Sequence, residues 1–219
     1  MKKYGIILAA GKGKRFGSLK QFFFIKDKPL FIYSVIAFEN SICDEIFIVT
    51  LKDKKREVRN WIKKWAFTKV KKILTGGKER FHSVMKTLRF LPDTGYVAIH
   101  DASRPLITTE FINRGFKLVE KYKAVIFGIR SEDTLKTVFH NQVFATLDRE
   151  HIYRIQTPQF FEIKLLKKAY RLAKEKRWQG TDDAFFLEKV GFPVYLFKGE
   201  KRNLKITTRE DLELIKNLL

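Results

Sequence analysis

The first 130 residues alternate between short apolar runs and amphipathic segments, and this alternation constrains the fold more than any other feature. Five runs rich in β-branched and aromatic residues have the length of buried β-strands. The segments between them space apolar residues three or four positions apart, as amphipathic helices do. The sequence predicts strands at 4–10, 45–51, 70–74, 96–100 and 124–129, and helices at 29–38, 54–67, 79–91 and 109–122. Such alternation predicts an α/β fold with a mostly parallel sheet covered by helices on both faces.

The pattern changes near residue 131, where two strand-like segments flank a polar turn. Residues 134–139 and 143–147 are predicted to pair as a β-hairpin. Because an isolated hairpin is only marginally stable, this arm at about residues 131–150 needs another surface to pack on. Beyond it the sequence predicts helices at 163–176 and 181–190, strands at 194–197 and 204–206, and a last helix capped by residues 207–210. No linker divides the chain, so one domain over 1–219 with an inserted arm is expected.

The chain has 45 Lys and Arg residues against 24 Asp and Glu, a formal net charge of +21. Such an excess is typical of nucleic-acid-binding proteins. Here the lysines recur along predicted surface helices, and the sequence has neither a basic tail nor zinc-finger spacing. We therefore expect no nucleic-acid partner, and a cationic field that attracts small anionic substrates fits the charge equally well.

Cysteine content and hydropathy exclude further classes. Cys43 is the only cysteine, so neither an intramolecular disulfide nor a cysteine-cluster metal site is possible. No apolar run approaches the roughly 18–20 residues that cross a bilayer. The apolar stretch at 4–10 is too short for a signal peptide, and charge returns at Lys12. We expect a cytoplasmic protein with no membrane partner.

The loop after the first predicted strand has the composition of a phosphate-binding turn. Gly11 and Gly13 let backbone N–H groups approach an anion, and the basic residues at positions 12, 14 and 15 supply neutralising charge. A dinucleotide-binding fingerprint would need glycine in place of Phe16, and the Gly-Lys-Ser/Thr of a P-loop is absent. The loop is therefore a phosphate-type turn of another kind, or an ordinary tight turn with solvated lysines.

Two more loops follow predicted strands, at the strand ends where ligands of parallel α/β sheets bind. Gly76 and Gly77 can present backbone groups to the edge of a base, and Ser83 can add a hydroxyl. Asp101 suits a metal ion or ribose hydroxyls, and Arg104 suits a phosphate. The alternatives are a strand-to-helix turn for the first loop and an Asp–Arg pair that braces the second.

Nine short motifs in register resemble one family, the 2-C-methyl-D-erythritol 4-phosphate cytidylyltransferases of non-mevalonate isoprenoid synthesis. They span residues 6 to about 214 and read LAAGxGxR, KQF, GGxER–S, HDAxRP, DTxK, LDR, TPQF, TDDA and RNxKIT. The resemblance implies a Rossmann-like three-layer α/β domain. It also implies a homodimer in which the β-arm exchanges between subunits, which would give the predicted hairpin a surface to pack on.

The resemblance further implies CTP and methylerythritol phosphate as substrates, Mg²⁺ or another divalent cation as cofactor, and roles for individual residues. Arg15 and Lys20 match cations that bind the CTP phosphates and stabilise the transition state. Arg149, from the partner subunit, and Lys205 match the pair that positions the acceptor phosphate. The nucleotide-binding positions are Ala9, Ala10, Gly11, Gly13, Gly77, Ser83, Asp101 and Ala102, with Asp101 also on the metal side. The acceptor-binding positions are Arg104, Thr134 and Thr157.

The implied chemistry is attack by a phosphate oxygen of the acceptor on the α-phosphorus of CTP. The acceptor phosphate is already mostly dianionic at pH 7, so no general base is needed. Two departures from the family are Lys78, where aspartate is frequent, and Ser103, where alanine or glycine is usual. A backbone contact to the base would survive the change at Lys78. The alternatives are a ribitol 5-phosphate cytidylyltransferase, a basic nucleic-acid-binding module and a non-catalytic nucleotide-binding regulator.

Overall fold

The computed structural model describes residues 1–11, 13 and 16–219. Arg15, Lys12 and Lys14 lie outside the described residues. The described part folds into strands and helices in this order: β1 (Lys3–Ala9), β2 (Phe24–Ile25), β3 (Lys28–Pro29), α1 (Leu30–Glu39), β4 (Glu45–Thr50), α2 (Lys55–Lys64), β5 (Val70–Thr75), α3 (Arg80–Leu88), β6 (Tyr96–Asp101), α4 (Thr109–Tyr122), β7 (Ala124–Arg130), β8 (Leu135–Phe139), β9 (Gln142–Leu147), β10 (Tyr153–Glu162), α5 (Ile163–Glu175), α6 (Ala184–Lys189), β11 (Tyr195–Lys198) and α7 (Arg209–Lys216).

One seven-stranded sheet forms the centre of the molecule, in the order β11-β7-β10-β6-β1-β4-β5. Six strands are parallel, and β10 runs antiparallel between β6 and β7. The register places Ile7 of β1 opposite Ile48 of β4 and His100 of β6. The carboxyl ends of β1, β4, β5 and β6 therefore meet at one edge, as the strand–helix alternation predicts.

Helices cover both faces of the sheet, which confirms the predicted three-layer α/β fold. On one face α1, α2 and α4 contribute buried side chains such as Phe38, Val58 and Phe116. On the other face α3, α5 and α6 contribute side chains such as Val84 and Leu187. Adjacent strand residues point to opposite faces, so neighbouring residues of β1 enter different core clusters. No helix in the described ranges is both long and apolar enough to cross a membrane.

The predicted arm is a two-stranded antiparallel sheet, β8 and β9, that pairs with no strand of the central sheet. It leaves the sheet at the end of β7 and returns at the start of β10, where Tyr153 lies opposite Arg130. Since β7 is parallel to β6, the arm emerges from the same sheet edge as the loops that follow β1, β5 and β6. Much of its apolar surface is exposed, including Phe139 and Phe144 at 71% and 85%.

The sequence prediction missed one strand of the central sheet and was wrong in detail at two other places. The sequence gives no strand signal for β10, because Pro158 lies in its middle and proline cannot donate to a sheet ladder. A bulge between residues 156 and 160 accommodates that proline. Residues 204–206 are not a strand but an extended connection whose Ile206 N–H donates to the Ser103 carbonyl at 2.8 Å. The last capping box uses Thr208 and Asp211, one residue later than predicted.

Candidate active site

A cleft of about 440 Å³ opens at the carboxyl ends of β1, β5 and β6. It contains most of the positions that the sequence assigns to the nucleotide, together with two of the predicted cations. Its lining comprises Leu8, Ala10, Gly11, Gly13, Phe16, Lys20, Gln21, Leu51, Gly77, Lys78, Glu79, Arg80, Ser83, Asp101, Ser103, Lys205 and Thr207. Segments far apart in the chain therefore line one cleft, and the charged side chains in its lining are mainly cationic.

The first glycine loop is held by the side chain of Gln21, to which the sequence analysis gave no role. Gln21 is buried, and its Nε2 donates to the carbonyls of Ala9 at 3.0 Å and Gly11 at 2.8 Å. Gly13 has a φ of +61°, and a Cβ there would lie 1.8 Å from the Ser18 carbonyl oxygen. The loop thus requires glycine at position 13. For Gln21, the KQF motif was the only feature of the sequence that pointed to a role in the site.

The second glycine loop contacts the first. Gly77 donates its N–H to the Ser83 hydroxyl at 2.9 Å, and that hydroxyl donates to the Glu79 carbonyl at 3.1 Å. A Cβ on Gly76 would lie 2.5 Å from the Cβ of Ala10, so glycine permits the close approach of the two loops. Ser83 holds the loop in shape by these bonds and also lines the cleft.

Asp101, at the end of β6, contributes a carboxylate to the cleft. Its Oδ1 accepts from Arg80 Nε at 3.2 Å, and its Oδ2 accepts from Lys205 Nζ at 2.7 Å. Burial alone would raise the pKa of Asp101, but the charges of Arg80 and Lys205 outweigh it and hold the pKa well below its ordinary range. The carboxylate is therefore ionised at every physiological pH.

Arg80 is a functional candidate that sequence reasoning missed. It begins α3 and lines the cleft, and besides Asp101 it contacts Asp183, with Nη2 2.6 Å from Oδ2. The GGxER motif contained it, but an arginine beside a glycine loop has no partner that the sequence alone can identify. Its two carboxylates come from positions 101 and 183, which only the fold brings together.

Thr157, predicted on the acceptor side, is buried and bonded within the protein. Its hydroxyl accepts from the Asp101 N–H at 3.1 Å and donates to Nδ1 of His100 at 3.3 Å. His100 Nε2 in turn lies 3.1 Å from the Arg104 carbonyl, which fixes the tautomer with hydrogen on Nε2. Complete burial lowers the pKa of His100 to about 4, so the ring is neutral at physiological pH. This network fixes the backbone of Asp101.

Arg104 braces the loop after β6 through backbone carbonyls, whereas Asp101 pairs with Arg80, so the alternative of an Asp101–Arg104 pair was wrong in its partner. Its guanidinium donates to the carbonyls of Asn203 at 2.7 Å and Ile155 at 3.2 Å. Its Nε has no hydrogen-bond partner among the described residues. Arg104 thereby links β10 to the segment that carries Lys205. Ala9 and Ala102 are also buried, and neither lines the cleft.

Two of the three described cations of predicted catalytic importance, Lys20 and Lys205, line the cleft. Lys20 lies in a short 3-10 helix, and its Nζ donates to the Ile206 carbonyl. Lys205 extends from the connection before α7 to Asp101. The hydrogen bond between Ile206 and Ser103 holds this connection against the loop after β6. Both ammonium groups therefore line one cleft, as the sequence motifs predicted.

Arg149 and Thr134 lie at the root of the arm and do not line the cleft of their own chain. Arg149 is exposed and its Nη1 donates to the Glu132 carbonyl at 3.0 Å. The roles predicted for Arg149 and Thr134 depend on a partner subunit, so they stay predictions, as does the role of Arg15.

The donor set suits a metal that arrives with phosphates. In the described ranges, no three His, Cys, Asp or Glu side chains are grouped so that they could hold an ion by themselves. Mg²⁺ commonly binds through one or two carboxylates together with substrate phosphates and water. The ionised carboxylate of Asp101 beside a triphosphate fits that kind of site.

Comparison with known proteins identifies the family that this chain resembles. The family model for 2-C-methyl-D-erythritol 4-phosphate cytidylyltransferase (IspD) matches residues 4–219. A protein of that name from Lachnoclostridium phytofermentans is 45% identical over 213 residues, covering 94% of this chain and 91% of the relative. Another from Dictyoglomus thermophilum is 38% identical over 220 residues, covering 98% of this chain and 95% of the relative.

Solved structures with this fold have the same activity in their names. A 4-diphosphocytidyl-2C-methyl-D-erythritol synthase from Anaerococcus prevotii superposes with a TM-score of 0.87 at 28% identity, covering 99% of this chain and 97% of that one. A 2-C-methyl-D-erythritol 4-phosphate cytidylyltransferase from Francisella tularensis gives a TM-score of 0.83 at 28% identity, with both chains fully covered.

Proposed function

This chain belongs to the 2-C-methyl-D-erythritol 4-phosphate cytidylyltransferase family, and we propose from that premise how its residues divide the work. The enzyme transfers the cytidylyl group of CTP to 2-C-methyl-D-erythritol 4-phosphate, giving 4-diphosphocytidyl-2-C-methyl-D-erythritol and pyrophosphate. One observation carries the assignment of residues. Two glycine loops, the carboxylate of Asp101 and the ammonium groups of Lys20 and Lys205 line a single cleft.

The reaction joins two anions, so charge stabilisation and alignment are the tasks of the protein. An oxygen of the acceptor phosphate forms a bond to the α-phosphorus, the bond from that phosphorus to the bridging oxygen breaks, and pyrophosphate leaves with the electron pair. We assign Lys20 and Arg15 to stabilising the charge that develops on the phosphoryl oxygens. The ammonium of Lys20 would act as a point charge, and the guanidinium of Arg15 as a planar pair of donors. The dianionic acceptor needs no base, which agrees with a neutral His100 that is fully bonded within the protein.

The two glycine loops are proposed to hold the nucleotide. Backbone N–H groups at Gly11 and Gly13 face the triphosphate, and Gly77 with Ser83 faces the cytosine. Lys78 lines the cleft with an exposed side chain, so a backbone contact to the base remains possible at this position. Asp101 is proposed to bind the ribose hydroxyls and to hold Mg²⁺ together with the phosphates. The metal would supply positive charge to the triphosphate.

The acceptor side is proposed to form between two subunits. Lys205 reaches the cleft from its own chain, whereas Arg149 and Thr134 lie on the arm, outside that lining. The arm exposes Val138, Phe139, Val143 and Phe144 at 58%, 71%, 63% and 85%. Exposed large apolar side chains concentrated on one short element usually mark a protein interface. We propose a homodimer in which each arm covers the partner, and a cytoplasmic location, where CTP is available.

Pyrophosphate release tests the activity and the acceptor together. The purified protein with CTP and Mg²⁺ should release pyrophosphate with 2-C-methyl-D-erythritol 4-phosphate, and ribitol 5-phosphate in a parallel reaction tests the related acceptor. Reactions with ATP, GTP and UTP check recognition of the base. Faster turnover with ribitol 5-phosphate would contradict the acceptor assignment.

A further inference from the structure

A continuous hydrogen-bonded chain extends from the Asp101 carboxylate in the cleft into the core behind it. Asp101 Oδ1 accepts from Arg80 Nε at 3.2 Å, and Arg80 Nη2 donates to Asp183 Oδ2 at 2.6 Å. The second oxygen of Asp183 accepts from the Tyr170 hydroxyl at 2.5 Å. Asp101 and Arg80 line the cleft, whereas Asp183 and Tyr170 are 0% and 2% exposed.

The inner end of this chain is rigid. The Asp183 N–H donates to Oε1 of Gln159 on β10 at 3.0 Å. The ring of Tyr170 stacks on Phe81 with centroids 5.0 Å apart and an interplanar angle of 6°, and it packs against Phe186 at 5.0 Å. Asp183 is therefore held by β10, by α5 and by the aromatic cluster around Tyr170.

Of the cationic side chains, arginine is the best suited to link the rigidly held Asp183 to Asp101. Its planar fork donates to two carboxylates at once in fixed geometry, whereas an ammonium group is a rotatable point charge. Asp183 also offsets the charge of Arg80. Without Asp183, the guanidinium of Arg80 would be free to turn toward a triphosphate. Two carboxylates, Arg80 and Lys205 then carry no net charge together.

We propose that Arg80, anchored by Asp183, is a positioning residue that fixes the Asp101 carboxylate for the metal-bound nucleotide. This inference rests on the proposed role of Asp101 in binding ribose and Mg²⁺. Loss of the anchor should weaken CTP binding, because Asp101 then adopts several orientations instead of one.

The direct test is the affinity for CTP in the presence of Mg²⁺ and without acceptor, measured by calorimetry on the intact protein. Asp183→Asn keeps the shape and removes the charge that holds Arg80, and it should weaken binding by about 10-fold, at the lower end of the effect of outer-shell substitutions. Arg80→Gln should weaken binding further, and Arg80→Lys should restore only part of it. Arg89→Gln removes the same charge from the exposed end of α3 and is the matched control.

A double-mutant cycle separates positioning from general stability. In an Asp101→Asn background, Asp183→Asn should change CTP affinity by less than about 2-fold, since residues that act through one another are non-additive. Tyr170→Phe keeps the stacked ring and removes one hydrogen bond, so it serves if Asp183→Asn does not fold. It should weaken binding in the same direction by a smaller factor.

The outcomes are distinguishable. If Asp101→Asn leaves CTP affinity unchanged, the proposed role of Asp101 is wrong, and this inference with it. If Asp101→Asn weakens binding but Asp183→Asn and Tyr170→Phe do not, only the inference is overturned. An equal effect of Asp183→Asn in both backgrounds also overturns it, because Asp183 would then act by a route other than Asp101.

Discussion

At the scale of single residues, the cleft is built from charges that are already paired within the protein. Lys205 contacts Asp101, and Lys20 contacts the Ile206 carbonyl. With Lys20 and Lys205 as the proposed ligands, substrate phosphates must compete with internal partners rather than with water alone. Ammonium groups suit this exchange, because their donors rotate and their flexible stems let them follow a new anion.

Lys20 gives the sharpest prediction at this scale. Lys20→Ala should lower kcat by about 10²–10³-fold, by analogy with the loss of one donor from an oxyanion hole. The same loss is expected for Arg15→Ala. Steady-state kinetics with both substrates saturating measure it, and Lys117→Ala on the exposed surface of α4 is the control. Wild-type turnover in a folded Lys20→Ala protein would contradict the assignment.

His100 predicts a pH dependence of stability. Its pKa is about 4 in the folded protein against an ordinary 6.5, so the unfolded chain binds more protons between these values. The effect of His100 on the free energy of unfolding is therefore constant above pH 6.5, and the protein loses stability as the pH falls from there toward 4. Between pH 7 and pH 5 the free energy of unfolding should fall by about 2 kcal/mol from this group alone. Asp101 adds nothing in that window, because its carboxylate stays ionised in both states until the pH approaches 4.

Urea unfolding at pH 5 and pH 7 checks this, with His100→Gln as the comparison. The variant should have a smaller difference between the two pH values than the parent. Parallel behaviour of the two proteins would show that His100 is not the source.

At the scale of elements, the glycine loops illustrate two different reasons for glycine. Gly13 and Gly17 both have positive φ, +61° and +78°. A Cβ on Gly17 would meet open space, whereas a Cβ on Gly13 would lie 1.8 Å from the Ser18 carbonyl oxygen. Gly17→Ala should therefore lower the free energy of unfolding only by the energy of placing alanine in the left-handed conformation, roughly 1–2 kcal/mol. Gly13→Ala should cost more and also weaken CTP binding, because the loop must move.

Thermal unfolding and CTP titration of the two variants measure this difference. Since both variants add one methyl group at positive φ in the same loop, each is the control for the other. Equal stability of Gly13→Ala and Gly17→Ala would contradict the steric argument.

The arm is the element whose proposed role depends on a second chain. Phe144 is 85% exposed, so Phe144→Glu removes few contacts within one subunit. We expect the variant to shift the protein from dimer to monomer, because a charge would replace a buried aromatic ring at the interface. Light scattering after size exclusion measures the mass, with Leu214→Glu, 54% exposed on α7, as the control. A monomeric parent protein would contradict the dimer directly.

Activity should follow the oligomeric state in that experiment. If Arg149 serves the partner's site, the monomeric variant loses activity although the cleft of each chain is intact. Full activity in the monomer would assign the acceptor site to one chain.

At the scale of the molecule, the sequence predicts the sheet and most of the cleft, because strand–helix alternation and loop motifs are local signals. Asp101 and the two glycine loops could be placed together, since the carboxyl ends of parallel strands meet at one edge. β10 could not be predicted, because its proline hides an antiparallel strand inserted between β6 and β7. Arg80 and Gln21 were missed for a related reason. Their partners at positions 183, 9 and 11 become neighbours only in the folded chain.

The net charge of +21 is also a property of the molecule as a whole. Of the cations in the described part of the chain, Lys20, Lys78, Arg80 and Lys205 line the cleft. Most of the other described cations are exposed and are spread over helices, strands and loops, where they create a positive field around the protein. Such a field speeds the encounter with CTP and the acceptor phosphate, both of which are anions.

Because salt screens long-range attraction more than contacts inside a cleft, kcat/KM should fall more steeply with ionic strength than kcat does. The steepest change is expected between about 0.01 M and 0.15 M salt, where the screening length shortens from roughly 30 Å to 8 Å. Steady-state kinetics over this range, at constant free Mg²⁺, measure both parameters. A viscosity series at low salt shows whether encounter limits kcat/KM. An equal dependence of kcat and kcat/KM on salt would assign the effect to the cleft itself and leave the surface lysines without a kinetic role.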